Sequence, residues 1–324
     1  MPSIILALGA SLLKTFSTLS EKQVLTKASP AAFTASASFI IAFISLPLLY
    51  FVKNSEISNY ALFITALCAL FSTVSAFTSA YVLKNLDISE SATLFALSPI
   101  VITFLATIFL HEELAIIQYV GIGISCIGIF ILEGHRHSAK QDAHITPLGS
   151  NPEHITLTTQ NERYGKAIEK MGKKSLLYIA LLLALVFFST TAILDRYVVY
   201  HLGVDPLLFL VIVQFFILLY FLIVDVFTRQ YRPHNKTTNS TVDSFDIEIL
   251  KRKSFWAHII FVVIHRVFHM FAVQGMGASL LHAIKQSSVV LTTVLGGKLF
   301  TEKHMLRRTI ACICVVAGVV LAIL

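Results

Sequence analysis

Apolar residues run along this chain in long blocks separated by short polar breaks. Ten blocks of roughly 17–25 residues, the length that crosses a hydrocarbon core of about 30 Å, fall near 4–20, 30–52, 60–83, 91–110, 115–132, 176–200, 206–228, 255–277, 278–299 and 306–324. The division at 277/278 rests only on Gly275, Gly277 and the turn-prone GMGAS. Lipid gives the backbone no hydrogen-bond partner, so blocks of this length predict helices. The expected fold class is an all-α polytopic membrane protein with ten transmembrane helices. Two longer polar stretches, 133–175 and 229–254, interrupt the pattern. The first is rich in Ser, Thr, Asn, Pro and His, buries little, and reads as a mobile linker between a five-helix repeat at 1–132 and another at 176–324.

The two halves are related. A shift of 190 residues lays SPIVITFLATIFLHEEL (98–114) on SSVVLTTVLGGKLFTEKHM (287–305), with Ser98 on Ser288, Glu112 on Glu302 and, further along, Gly128 on Gly318. Five is an odd number of spans, so the second copy enters the membrane from the opposite face. That gives two inverted repeats, a design found in secondary transporters.

Composition agrees with the pattern: of 324 residues, 56% are hydrophobic and 13% charged, against about 25% charged in a soluble domain. A net charge of +7 raises the question of nucleic acid, and the distribution answers it. Of 25 Lys and Arg, 17 lie in odd-numbered loops, and Lys53 alone lies in an even-numbered one. This is the signature of membrane orientation, with odd-numbered loops cytoplasmic and both termini outside; no nucleic-acid partner is expected. Cys68, Cys126, Cys312 and Cys314 lie inside apolar helices, where cysteine acts as a small hydrophobe. Cys312-x-Cys314 lacks zinc spacing, so neither metal nor cofactor is expected. Nucleophile-elbow, zinc-peptidase and phosphate-loop motifs are missing, which argues against an enzyme. No basic n-region precedes Lys14, so a cleavable signal peptide is not expected.

The stretches LFALSPIVITFLATIFLHEEL and GIGISCIGIFIL, echoed by KQSSVVLTTVLGGKLFTEK and CICVVAGVVLAIL, resemble the drug/metabolite transporter superfamily in its EamA-like branch. The resemblance implies ten helices in two inverted halves, a proline in the fourth (Pro99) and a glutamate after the fourth (Glu112 or Glu113) and ninth (Glu302). It also implies cytoplasmic termini, in conflict with the charge bias, and a bacterial inner (plasma) membrane is the expected location. Two sequons, at Asn235 and Asn239, matter only if the seventh loop is lumenal.

Candidate chemistry centres on VIHRVFHM, residues 263–270. Arg266 is about eleven residues into the eighth block, near the midplane at roughly 1.5 Å per residue. A cation there needs a cavity or a partner. His269 follows at i+3, and Gln274 two turns on reads as lying on roughly the same side. Lys14 is the matching cation of the first block, free either to enter a pocket or to snorkel towards Glu21. Asp195 and Lys285 form a further pair, read as a structural ion pair or a gate. His265 and His269 raise proton coupling, although no carboxylate is expected at midplane depth; exchange transport is the other option. Gln214 reads as a helix–helix hydrogen bond, Tyr81 as an interfacial aromatic, and Asp225 as an interfacial partner of Arg229. Gly121, Gly123, Ser125 and Gly128 form a small-residue stripe suited to helix packing or to a homodimer.

The reading is a secondary transporter for a small anionic or zwitterionic metabolite, such as an amino acid, carboxylate, nucleotide or phosphorylated compound. Its substrate-binding candidates are Arg266, His269, Lys14, Lys285, Gln274 and Asp195, with membrane lipid around it. The alternatives are an exporter of hydrophobic or cationic drugs and, behind it, a channel or lipid scramblase.

Overall fold

The structure, a computed structural model, describes residues 2–53, 56–95, 97–110, 157–230, 247–275, 278–285, 287–301 and 305–323, with scattered helical positions between 116 and 128. Among the described residues all regular structure is helical. The helices are α1 (Pro2–Leu25), α2 (Pro30–Ser45), α3 (Asn59–Asn85), α4 (Ile88–Phe95), α5 (Ser98–Leu110) and α6 (Leu157–Arg196) in the first part. There follow α7 (Pro206–Gln230), α8 (Ile247–Leu250), α9 (Lys253–Gly275), α10 (Ala278–Lys285), α11 (Ser287–Leu299) and α12 (Met305–Ile323).

Six helical runs are long and apolar enough to cross a membrane: Ser3–Leu25, Pro30–Phe51, Asn59–Asn85, Ser175–His201, Pro206–Val224 and Lys253–Gly275. They coincide with the first, second, third, sixth, seventh and eighth apolar blocks. Polar residues at the block edges start them. The Ser29 hydroxyl accepts from Ala32 N at 3.1 Å ahead of Pro30, and Ser58 accepts from Ala61 N at 3.1 Å. Asp205 Oδ1 accepts from Leu207 N at 2.9 Å ahead of Pro206. Such caps satisfy amides that the first helical turn leaves unpaired.

The described part of the fourth block comprises α4 and α5, with a turn at Leu97 whose N–H donates to Leu94 O at 3.1 Å; Pro99 fits the opening turn of α5. That of the ninth comprises α10 and α11, and the Ser288 hydroxyl donates to Lys285 O at 2.7 Å. Hydroxyls from distant helices reach α5 and α11. Ser189 of α6 donates to Ser98 O at 3.4 Å, and Thr15 of α1 donates to Ser288 O at 3.2 Å.

The segment expected as a linker is helical from Leu157 onwards, continuous with the membrane-spanning part of α6. Ala167, Glu169, Lys170 and Met171 are good helix formers, and a long helix already nucleated in the membrane extends through them at little cost. Residues 133–156, Glu112, Glu113, Ser125, Glu302 and both sequons lie outside the described residues.

The most extensive helix contacts are α1 along α9 and α3 along α6, with α2 against α7 and α4 against α11. Two apolar clusters close the bundle at opposite ends. One joins Ala7, Val198, Val204, Phe209, Met270 and Leu281; the other joins Leu19, Leu25, Phe33, Leu83, Ile88 and Phe255. At the second end basic side chains cover the last carbonyls of neighbouring helices. Lys22 donates to Leu83 O and Leu86 O, Lys84 to Ala28 O at 2.8 Å, and Arg252 to Val24 O at 3.4 Å. These contacts suit cations to the negative ends of helix dipoles.

The small-residue stripe packs within the chain at one position. A methyl group added to Gly128 would stand 2.7 Å from Val315 Cγ2 and 2.9 Å from Ala311 O, whereas at Gly123 it would meet nothing within 4 Å. Gly128→Ala is therefore expected to destabilise the protein by about 1–3 kcal/mol through overpacking, and Gly123→Ala to leave stability unchanged or slightly raised. Unfolding of the two purified variants in a denaturing-detergent titration measures the difference.

Candidate functional site

Between the two apolar clusters lies a cavity of about 350 Å³, within the usual size range of small-molecule pockets. Each wall is one helix face read at 3.6-residue spacing. α9 contributes His258, Val262, His265, Arg266 and His269; α3 contributes Ser72, Ser75 and Ser79. Thr191 and Asp195 come from α6, Gln214 from α7, and Lys14, Thr18 and Glu21 from α1. Ser98 of α5, Lys285 of α10 and Ser288 of α11 also reach the lining.

Arg266 is held by α7. With the Gln214 amide oriented so that its oxygen faces the guanidinium, Oε1 accepts from Arg266 Nε at 3.3 Å and also from Nη1. Gln214 is 2% exposed, so this one acceptor fixes the arginine and leaves Nη2 to the cavity. The Lys14 ammonium makes no hydrogen bond or ion pair with any described residue, and Lys14 lines the same cavity. The neighbouring hydroxyls are engaged: Thr15 donates to Ser288 O and Thr18 to Lys14 O at 3.0 Å.

Asp195 also lines the cavity, beside midplane residues of α9. Its Oδ1 accepts from the Cys68 thiol at 3.1 Å, and its Oδ2 stands 3.9 Å from His269 Nε2. His269 Nδ1 is in turn 3.5 Å from Lys285 Nζ. Asp195 and Lys285 therefore do not pair directly; His269 stands between them. Two further imidazoles flank it, His265 stacked with centroids 6.1 Å apart and His282 edge-on at 5.8 Å. His265 Nδ1 donates to Ala10 O at 2.8 Å, which orients its ring.

Five of the six sequence candidates thus share one cavity. Gln274 does not: it is exposed on α9 and outside the lining. Eight residues from Arg266 exceed two full turns by about 80° of rotation, which carries Gln274 off the cavity face. α6 continues through a π turn at Tyr197–His201, which leaves Asp195 six residues inside the end of the span Ser175–His201. Arg196 points elsewhere, to Val273 O at 3.5 Å and over the Tyr200 ring at 4.8 Å. Residues underrated in the sequence are Gln214, His258, His282, Cys68 and the serines of α3. The i, i+3, i+7 spacing of Ser72, Ser75 and Ser79, and the stripe 258/262/265/269, were the available signals.

The model of the EamA-like transporter family matches residues 1–133. That family lies within the drug/metabolite transporter superfamily, and the likeness of residues 1–133 to it, with the apolar helices, fits an integral membrane protein. A sequence search of curated proteins finds no match. One protein of known crystal structure shares the fold over 99% of this chain and 97% of its own, with a TM-score of 0.59 and 16% identity.

Replacing Gln214 by Leu leaves the Arg266 guanidinium buried without its acceptor, at a cost of about 1–3 kcal/mol. Gln214→Leu is expected to lower stability by that amount and Gln274→Leu to have no effect. Thermal unfolding of both EamA-like variants in the same detergent makes the comparison.

Proposed function

We propose that the protein is a ten-helix, inverted-repeat secondary transporter that carries a small anionic or zwitterionic metabolite by alternating access. The anionic group is held between Lys14 and Arg266. The observation that carries this reading is the Lys14 ammonium, with no hydrogen bond or ion pair to a described residue, in the same cavity as an arginine held through Nε and Nη1. Cations at this depth are costly unless something negative meets them, and a guanidinium edge suits carboxylate or phosphate. Lys285 of α10 extends the cationic wall, and Asp195 can meet the ammonium of a zwitterion.

The alternating-access part draws support from the paired features of the bundle. The hydroxyl ties from α1 and α6 are reciprocal, their acceptors Ser288 O and Ser98 O lying 190 residues apart. The α1–α9 contact is mirrored by α6–α3. Repeats at 1–132 and 176–324 with opposite orientation produce that set of pairs. Cytoplasmic odd-numbered loops follow from the distribution of Lys and Arg.

A second reading is favoured by another part of the lining. Asp195 and Glu21 with Phe33, Phe188 and Phe209 would suit a lipophilic cation, and the protein would then export drugs or toxic metabolites.

A thermal-shift screen of purified protein against a panel of metabolites and lipophilic cations separates the two, since a ligand that binds the folded state raises apparent stability. An anionic metabolite is expected to stabilise the parent, with its affinity reduced about 10–100-fold in Lys14→Gln, the equivalent of roughly 1.5–3 kcal/mol for a charge-assisted hydrogen bond. Stabilisation by lipophilic cations that persists in Lys14→Gln overturns the anion reading.

A further inference from the structure

We infer that Asp195 is a proton-binding site linked to anion binding: its carboxylate competes with the transported anion for the cations of the cavity, so that anion and proton bind together. This rests on the anion reading and adds its coupling ion. The charged groups of the lining are Lys14, Arg266 and Lys285 against Glu21 and Asp195. An anion entering between Lys14 and Arg266 meets a carboxylate already drawing on the same positive charge. In a region of low effective dielectric such like-charge crowding is strongly unfavourable, and it is relieved when Asp195 is protonated.

The surroundings of Asp195 provide for that proton. From α3, the Cys68 thiol faces Oδ1; from α9, His269 faces Oδ2 and Arg266 lies one turn earlier on the same helix. From α10, Lys285 and His282 stand behind His269, from α7 Gln214 holds Arg266, and from α1 Lys14 faces the same space. Thr191 precedes Asp195 by one turn of α6, its hydroxyl turned to Phe188 O at 2.7 Å.

Lys285, His269 and Asp195 stand in a line that becomes a relay once the 3.9 Å gap between His269 Nε2 and Asp195 Oδ2 closes to hydrogen-bond distance. With a proton on Nε2 and a lone pair on Nδ1, His269 accepts a proton from the Lys285 ammonium as it gives its own to Asp195. The Nζ–H and Nε2–H bonds break, and Nδ1–H and Oδ2–H form. Lys285 and Asp195 both become neutral, and an aqueous proton entering the cavity restores the ammonium. The net change is one proton gained, carried as the carboxylic acid of Asp195, with all three cations left for the anion.

The test uses sulfate, which stays a dianion throughout the range of interest, and the full chain in lipid nanodiscs. Calorimetric titrations in buffers of different ionisation enthalpy give the protons taken up on binding. The parent is expected to take up about one proton per sulfate, with affinity falling up to about ten-fold per pH unit as pH rises, the limit for one linked proton. Asp195→Asn is expected to bind sulfate without uptake and without that pH dependence. Glu21→Gln removes the other carboxylate of the lining and is expected to keep the uptake; this arm stands even if Asp195→Asn does not fold. Uptake lost in Glu21→Gln, or retained in a folded Asp195→Asn, overturns the assignment to Asp195. Sulfate binding to the parent with no proton taken up overturns the linkage while sparing the anion reading. No sulfate binding to the parent at about 10 mM, a millimolar affinity being worth only about 4 kcal/mol, overturns both.

Discussion

Ionised side chains inside a lipid-facing bundle must share whatever polar space the helices leave them. Here that space is one cavity between two apolar clusters, and the arrangement of the bundle serves it. Lys14, Arg266 and Lys285 come from three different helices, yet all open onto it. Water and a counter-charge inside the cavity are what make three cations tolerable at this depth. Side chains of both apolar clusters, Phe209 and Met270 of one and Phe33 and Leu83 of the other, contribute to its wall.

The ties between helices are part of the same arrangement. A helix inside a membrane offers its neighbours mainly side chains, because its backbone groups are consumed internally. The hydroxyls of Ser189 and Thr15 nevertheless reach the carbonyls of Ser98 and Ser288. The helices carrying those hydroxyls also carry Asp195 and Lys14. Movement of α1 or α6 relative to α5 and α11 would therefore alter backbone contacts and cavity charge together.

The membrane class, the six long spans and the identity of most charged cavity residues could be read from the sequence, because each depends on a one-dimensional cost. An apolar block of twenty residues has few soluble fates, and an arginine inside one must be facing something polar. Periodicity within one helix was nearly as informative, since His265, Arg266 and His269 share a face by geometry alone. It failed where small angular errors accumulate: Gln274 looked aligned with Arg266, and a fraction of a turn over eight residues carried it to the exposed side.

What passes between helices could not be read this way. Nothing in the order of residues says that the Gln214 carbonyl meets Arg266, that Cys68 donates to Asp195, or that His269 stands between Asp195 and Lys285. The π turn that ends the α6 span at Tyr197–His201 was not announced by the order of residues either. The sequence by itself determined that the chain enters a membrane and which charges go with it, because hydrophobicity and burial cost are summed along the chain. Only the tertiary structure decided which of those charges meet, because hydrogen bonds and ion pairs act over a few ångströms between helices tens to hundreds of residues apart.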